Sequence, residues 1–224
     1  MIKVALVDMD GTLYDSMPLH SRAWHRLTGE LGIKADEDEF YLDEGMTGAA
    51  TLNKLAMSAW GRTFDKAECD ELYARKARYF REYDAPEVMK GARRVIDGLM
   101  ARGIKCVLVT GSGQNSLLDR LDDDFPMAFP AERRVTSRDV VNGKPHPEPF
   151  LRGAAIAGAA PEECVAIDNA PLGVESAYRA GVRTIGVCTG PIPPEVLRNA
   201  GADLVYSSMD ALADDLDGAL GIKQ

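Results

Sequence analysis

The chain has 224 residues, enough to bury a sizeable core as one α/β domain or as a core domain carrying a smaller insertion. Its formal net charge of −9 argues against nucleic acid as a partner, because such affinity rests on Lys and Arg neutralising phosphates. Four cysteines, Cys69, Cys106, Cys164 and Cys188, lack C-x-x-C spacing, which argues against disulfide and zinc frameworks, and no stretch approaches the roughly 20 apolar residues that cross a bilayer.

The first element expected is a strand over residues 3–7, an apolar run that meets Asp8 before the core of a signal peptide could form. A cytoplasmic protein with reduced thiols, no membrane contact and no obligate protein partner is expected. The strand runs into Asp8-Met9-Asp10-Gly11-Thr12. Two carboxylates two residues apart at a strand end can act as nucleophile and proton donor, with Gly11 permitting a sharp turn. A plain strand terminus with an Asp-Gly turn would read the same way.

Residues 16–85 hold no convincing strand. Leu19, Ala23, Trp24 and Leu27 recur at helical spacing, and residues 49–59 and 69–83 repeat the pattern. An all-helical cap over residues 16–85 is therefore expected, inserted into a core of residues 1–15 and 86–224. Its joins lie near residues 14–18 and 84–86, where prolines and turn formers interrupt the pattern and offer hinges.

Beyond it come a helix near residues 91–102 and a strand over 105–110 that ends in Thr110-Gly111-Ser112-Gly113, with a helix expected from about Gln114. Backbone N–H groups and a helix dipole at such a turn suit a phosphoryl group, with Thr110 as donor. A Gly/Ser turn opening any helix would look similar, and the spacing is not a dinucleotide fingerprint. Lys144 follows among the prolines of residues 142–150. It is a compact charge able to neutralise a transferring phosphoryl group, although most lysines in such turns are surface groups.

A strand over 165–167 leads into Asp168-Asn169, whose oxygens could complete a hard-cation site with Asp8 and Asp10, Mg²⁺ being favoured. An Asx turn after a buried strand is the plainer reading. Strands over 184–187 and 203–206 complete an alternation that predicts an α/β fold. Its core is a doubly wound, Rossmann-like parallel sheet with its chemistry at the carboxyl ends of the strands.

Asp8-x-Asp10-Gly11-Thr12, Thr110 after the second strand, Lys144-Pro145-x-Pro147 and Asp168-Asn169 stand in one order along the chain. In that order they resemble the signature of haloacid dehalogenase superfamily phosphatases, over almost the whole length. The placed helical insertion is similar to the branch containing β-phosphoglucomutase and many small-molecule phosphatases. The resemblance implies a Mg²⁺-dependent phosphoryl-transfer enzyme with Asp8 as nucleophile, forming an aspartyl-phosphate, and Asp10 as general acid and then base. Thr110 and Lys144 complete the catalytic set, and Gly111 and Ser112 join them in holding the substrate. Asp8, Asp10, Asp168 and Asn169 are the implied metal residues. Asp10 argues against a dehalogenase, which lacks this second acid.

Asn169 departs from the branch, where an Asp ligates the metal. A unit-charge interaction at 4 Å is worth on the order of 4 kcal/mol at an effective dielectric of 20, so a replacement anion is expected. Glu44, in Asp43-Glu44-Gly45-Met46-Thr47-Gly48, is the candidate. A cap clamped down by Glu44 would leave room only for a small leaving group. This favours inorganic pyrophosphate, as does a resemblance to the inorganic pyrophosphatase variant of the branch.

The alternative is a sugar phosphomutase or sugar-phosphate phosphatase, since His20 and Lys76 fall where β-phosphoglucomutase has a hinge histidine and a cap lysine. Gly48, in place of the arginine that grips a second phosphate, weighs against a mutase. Lys76 otherwise reads as part of an exposed Arg75-Lys76-Ala77-Arg78 face, and Met46, Thr47, Trp60 and Tyr79 are candidate pocket walls, although an apolar cap core explains Trp60 and Tyr79 equally well. A non-catalytic phospho-receiver or nucleotide-binding module is the remote alternative, since receivers are shorter and lack the insertion. The expected partner is a small phosphorylated metabolite or pyrophosphate.

Overall fold

The computed structural model describes residues 1–113 and 115–222. Six strands form one sheet: β1 Val4–Val7, β2 Lys105–Val109, β3 Arg134–Val135, β4 Cys164–Asp168, β5 Arg183–Val187 and β6 Leu204–Tyr206. Their order is β3-β2-β1-β4-β5-β6, and every pairing is parallel. This is the doubly wound sheet expected from the alternation of elements. Five strands fall within a residue or so of their expected ends. β3 is the one unforeseen, because two residues carry no periodicity.

Residues of β1 and β4 are all buried, as parallel strands covered on both faces should be. Alternate side chains of β1 enter different cores: Ala5 and Val7 join one, Val4 and Leu6 the other. The second core includes Phe150, which is fully buried.

Between β1 and the helix α5 (Ala92–Ala101) lie only helices: α1 Met17–Glu30, α2 Glu39–Leu42, α3 Gly48–Trp60 and α4 Lys66–Arg81. Each of the longer three starts where the sequence supplies a stop or a cap. Pro18 sits in the first turn of α1, and the Thr47 hydroxyl accepts from Ala50 N. Asp65 and Glu68 form a capping box on α4. Their apolar faces meet: Ala23, Trp24 and Leu27 of α1, Leu52 and Ala56 of α3, and Leu72, Tyr79 and Phe80 of α4 share one cluster.

The remaining helices are α6 Asn115–Leu118, α7 Leu121–Asp124, α8 Glu148–Ala157, α9 Pro171–Arg179, α10 Pro194–Asn199, α11 Met209–Asp214 and α12 Leu216–Leu220. The helix start expected at Gln114 lies outside the described residues. Among the described residues, no helix is long and apolar enough to cross a membrane.

Register positions the chemistry. Val7 pairs with Leu108 on one side and Ile167 on the other, so Asp8, Thr110 and Asp168 emerge together at the carboxyl edge of the three central strands. Asp8 N donates to Ile167 O at 3.0 Å, holding the edge in line one residue past β1.

Candidate active site

Asp8 and Asp168, side by side at the ends of β1 and β4, share one cation. Lys144 Nζ lies 2.6 Å from Asp8 Oδ1 and 2.7 Å from Asp168 Oδ2, with all three side chains buried. Asp168 Oδ1 accepts from Ala170 N at 2.9 Å, so both its oxygens are engaged. It packs so tightly on α9 that a Cβ at Gly173 would come within 2.0 Å of Oδ2, which requires glycine there. Burial, together with the Asp168 and Asp10 charges, pushes the Asp8 carboxyl up to about 8, against the pull of Lys144. Burial works against the Lys144 ammonium too, but Asp168 and Asp8 outweigh it and hold the ammonium above its ordinary range.

Asp10 faces the helical insertion. Its Oδ1 accepts from Ser16 Oγ at 2.6 Å and from His20 Nε2 at 2.9 Å. With Nε2 donating, His20 Nδ1 is the acceptor facing the Lys76 amine. Burial pushes the Asp10 carboxyl up, yet His20, Ser16 and the more distant Lys76 together bring it below its ordinary value. Burial, aided by Lys76, lowers the His20 pKa, while burial takes the Lys76 ammonium down to about 7. Lys76 is only 2% exposed, which overturns the reading of an exposed charged face around it. Its ammonium lies 5.1 Å from the Trp24 ring centroid and 5.5 Å from that of Phe80.

Asn169 and Glu44 meet directly. Asn169 Nδ2 donates to Glu44 Oε2 at 2.9 Å, and Asn169 Oδ1 accepts from Thr12 Oγ1 at 2.9 Å. Glu44 Oε1 is, among the described residues, the one buried side-chain polar atom without a hydrogen-bond partner. It lies 2.8 Å from the place of a Cβ on Gly11, whose φ of +73° turns the chain just after Asp10. Burial, and then the Asp8 charge, raise the Glu44 carboxyl well above its ordinary range.

Among the described residues, no group of three or more His, Cys, Asp or Glu is gathered so as to hold a metal by itself. The donor set nonetheless suits a hard cation. Four buried carboxylates, Asp8, Asp10, Asp168 and Glu44, line this edge; Lys144 pairs with Asp8 and Asp168, and one Glu44 oxygen is orphaned.

One small cavity, about 60 Å³, is walled by Asp8, Asp10, His20, Glu44, Lys76, Thr110, Gly111 and Ser112. Met46 also lines it. Trp60 and Tyr79 do not: Trp60 sits at the far end of α3, 42% exposed and edge-on to Phe64, and Tyr79 donates to Glu30 Oε2. Thr47 is spent on capping α3. The loop at Thr110 is braced from within, Ser112 N donating to Thr110 Oγ1 at 3.0 Å.

Three contributors were not foreseen from the sequence. Ser16 could have been found from its i, i+4 spacing to His20. Thr12 sits within the first motif yet serves Asn169. Tyr73 lies over Gly48, where an added Cβ would come within 2.1 Å of its ring, so the ring fills the room a side chain at 48 would take.

A buried Asp with an adjacent Lys at the carboxyl edge of a parallel sheet, a second Asp beside it and a roof of inserted helices define a phosphoryl-transfer enzyme. The model of the haloacid dehalogenase-like hydrolases matches residues 2–181, and the chain belongs to that family. Hexitol phosphatase A of Escherichia coli is 31% identical over 92% of this chain and 91% of its own. The β-phosphoglucomutase of Bacillus subtilis is 28% identical over 96% and 93%. A solved structure from Bacteroides vulgatus, provisionally named a β-phosphoglucomutase, is 39% identical, with a TM-score of 0.94 over 100% of this chain and 91% of that one.

Proposed function

We propose that this chain is a Mg²⁺-dependent phosphatase that works through an aspartyl-phosphate on Asp8 and acts on a compact phosphorylated metabolite. The observation that carries the metal requirement is the buried, unpartnered Glu44 Oε1 beside Asn169. The anionic charge missing at 169 is supplied from the insertion instead. Asp8, the main chain at Asp10 and Glu44 would hold the ion, with Asn169 orienting Glu44 and Asp168 orienting Lys144. When bound, the cation offsets the charge of the nucleophile and of the phosphoryl oxygens.

The remaining chemistry belongs to the side chains. Asp8 attacks phosphorus while Lys144, fixed between Asp8 and Asp168, neutralises the phosphoryl oxygens, and Thr110 supplies a hydroxyl donor. Asp10, in its protonated form, gives its proton to the leaving oxygen as that bond breaks, and its lowered pKa makes that form a strong acid. It then takes a proton from the water that cleaves the acyl-phosphate, His20 and Ser16 holding the carboxyl in place.

The names of the relatives support a sugar or polyol phosphate as substrate. A hydrolase is favoured over a mutase because the Tyr73 ring, not a cation, occupies the room beside Gly48. Pyrophosphate is the second reading, favoured by Glu44 and by the small cavity, although none of the relatives described above is named for it.

Phosphate release with Mg²⁺ from pyrophosphate, hexitol, hexose and pentose phosphates, on wild type, Asp8→Asn and Glu44→Ala, separates the readings. Sugar or hexitol phosphates turned over with dependence on Asp8 supports the first. Pyrophosphate preferred, with activity lost in both variants, supports the second. Glucose 6-phosphate formed from β-glucose 1-phosphate would replace both with a mutase.

A further inference from the structure

The segment carrying Glu44 reaches the sheet edge only because the surfaces beneath it lack side chains. A Cβ at Gly111 would stand 2.3 Å from Gly45 O, 2.8 Å from Gly45 C and 3.1 Å from Met46 O. A Cβ at Gly143 would stand 2.7 Å from Thr47 Cγ2. Gly45 itself rides on the aliphatic stem of Lys144, with 2.9 Å from its would-be Cβ to Cδ. The insertion thus lies on core backbone at two points flanking Asp8: main chain of Gly45 and Met46 on Gly111 after β2, and the Thr47 side chain on Gly143 just before Lys144. Neither Gly111 nor Gly143 has a positive φ, so each conformation admits alanine and glycine is required there by space alone.

We propose that Gly111 and Gly143 are specificity-determining residues. Their missing side chains set how deeply residues 44–47 seat over Asp8, and this depth restricts the leaving group to compact molecules. A methyl at 111 meets main chain on the other side, which has no rotamer to yield, so the whole segment must rise. A methyl at 143 clashes with a threonine methyl at 2.7 Å and reaches Thr47 N only at an ordinary 3.4 Å. The first change lifts the roof of the cavity at Gly45 and Met46, while the second can be absorbed by trimming Thr47.

The proposal rests on the phosphatase reading, and its test separates the two. Gly111→Ala, Gly143→Ala, Thr47→Ser and the Gly143→Ala/Thr47→Ser pair are purified and checked for unchanged melting. For each, kcat and KM are measured on the most compact and the bulkiest phosphate substrates that wild type turns over. Gly111→Ala is expected to lose on the order of 10²-fold in kcat/KM on the compact substrate, the cost of an ångström-scale misplacement. The loss on the bulky substrate is expected to be at least tenfold smaller. Gly143→Ala should show the same selective loss in milder form, and Thr47→Ser, which keeps the capping hydroxyl, should reverse it while doing nothing alone. Equal losses on both substrates, no loss, or no rescue in the pair would overturn the proposal. Failure of wild type to release phosphate from any substrate would overturn the phosphatase reading instead.

Discussion

The floor and the roof of the site are built by different means. The floor, Asp8, Lys144 and Asp168, hangs on the register of β1 and β4, whose buried pairing leaves the two carboxylates no freedom to separate. The roof, His20 on α1, Lys76 on α4 and Glu44 in the turn between α2 and α3, depends on helix packing far from the chemistry, such as the stacking of His20 on Phe80 at 4.2 Å. Floor residues should fail through chemistry and roof residues through placement.

The largest of these effects is expected at Asp10, where the two regions meet. Asp10→Asn keeps the size of the side chain but removes the acid, and kcat should fall about 10²- to 10⁴-fold with melting nearly unchanged. A fall of less than tenfold would assign the proton transfer elsewhere. Next comes Glu44→Ala. It removes the orphaned oxygen and the acceptor of Asn169, and the Mg²⁺ concentration for half-maximal activity should rise roughly 10- to 100-fold. Titration of Mg²⁺ against turnover measures it, and an unchanged midpoint would remove Glu44 from the metal.

The last effect is on stability instead of turnover. Burial holds the Lys76 ammonium down to about 7, against an ordinary value of 10.5, with Asp10 and His20 as its polar neighbours and Trp24 and Phe80 as its walls. The folded state therefore pays for the charged amine below pH 7, and that penalty fades as pH rises from 7 toward 10.5. Lys76→Met should stabilise the fold by about 1–4 kcal/mol at or below pH 7, with the advantage shrinking above it, while activity drops. Melting curves across that range test the sign. A Lys76→Met protein that melts lower at pH 7 would show that the amine contributes net stability.

The same division explains what was legible in the sequence. Asp8, Thr110 and Asp168 could be found because each follows a buried apolar run, and a parallel sheet brings such ends together whatever the connections do. Glu44 was reachable only by asking what replaces the charge missing at Asn169. The burial of Lys76 was hidden because Arg75, Arg78 and Arg81 make α4 look solvated, while Trp24, on α1, comes from over 50 residues earlier. Tyr73 filling the room beside Gly48, Gly45 lying on Gly111 and the two-residue strand β3 are tertiary facts with no local pattern. Trp60 and Tyr79 stayed open between pocket and cap core for the converse reason: a large ring marks a packed or half-covered surface, not which surface it covers.

On this mechanism Asp8 carries the phosphoryl group. Acid-quenching the enzyme during turnover with Mg²⁺ and a substrate from the panel, then mapping the adduct by peptide mass spectrometry, tests it directly. One phosphoryl group on the peptide containing Asp8, absent from Asp8→Asn, is the predicted result. Turnover that persists in Asp8→Asn, or a phosphoryl group found on another residue, would contradict the account.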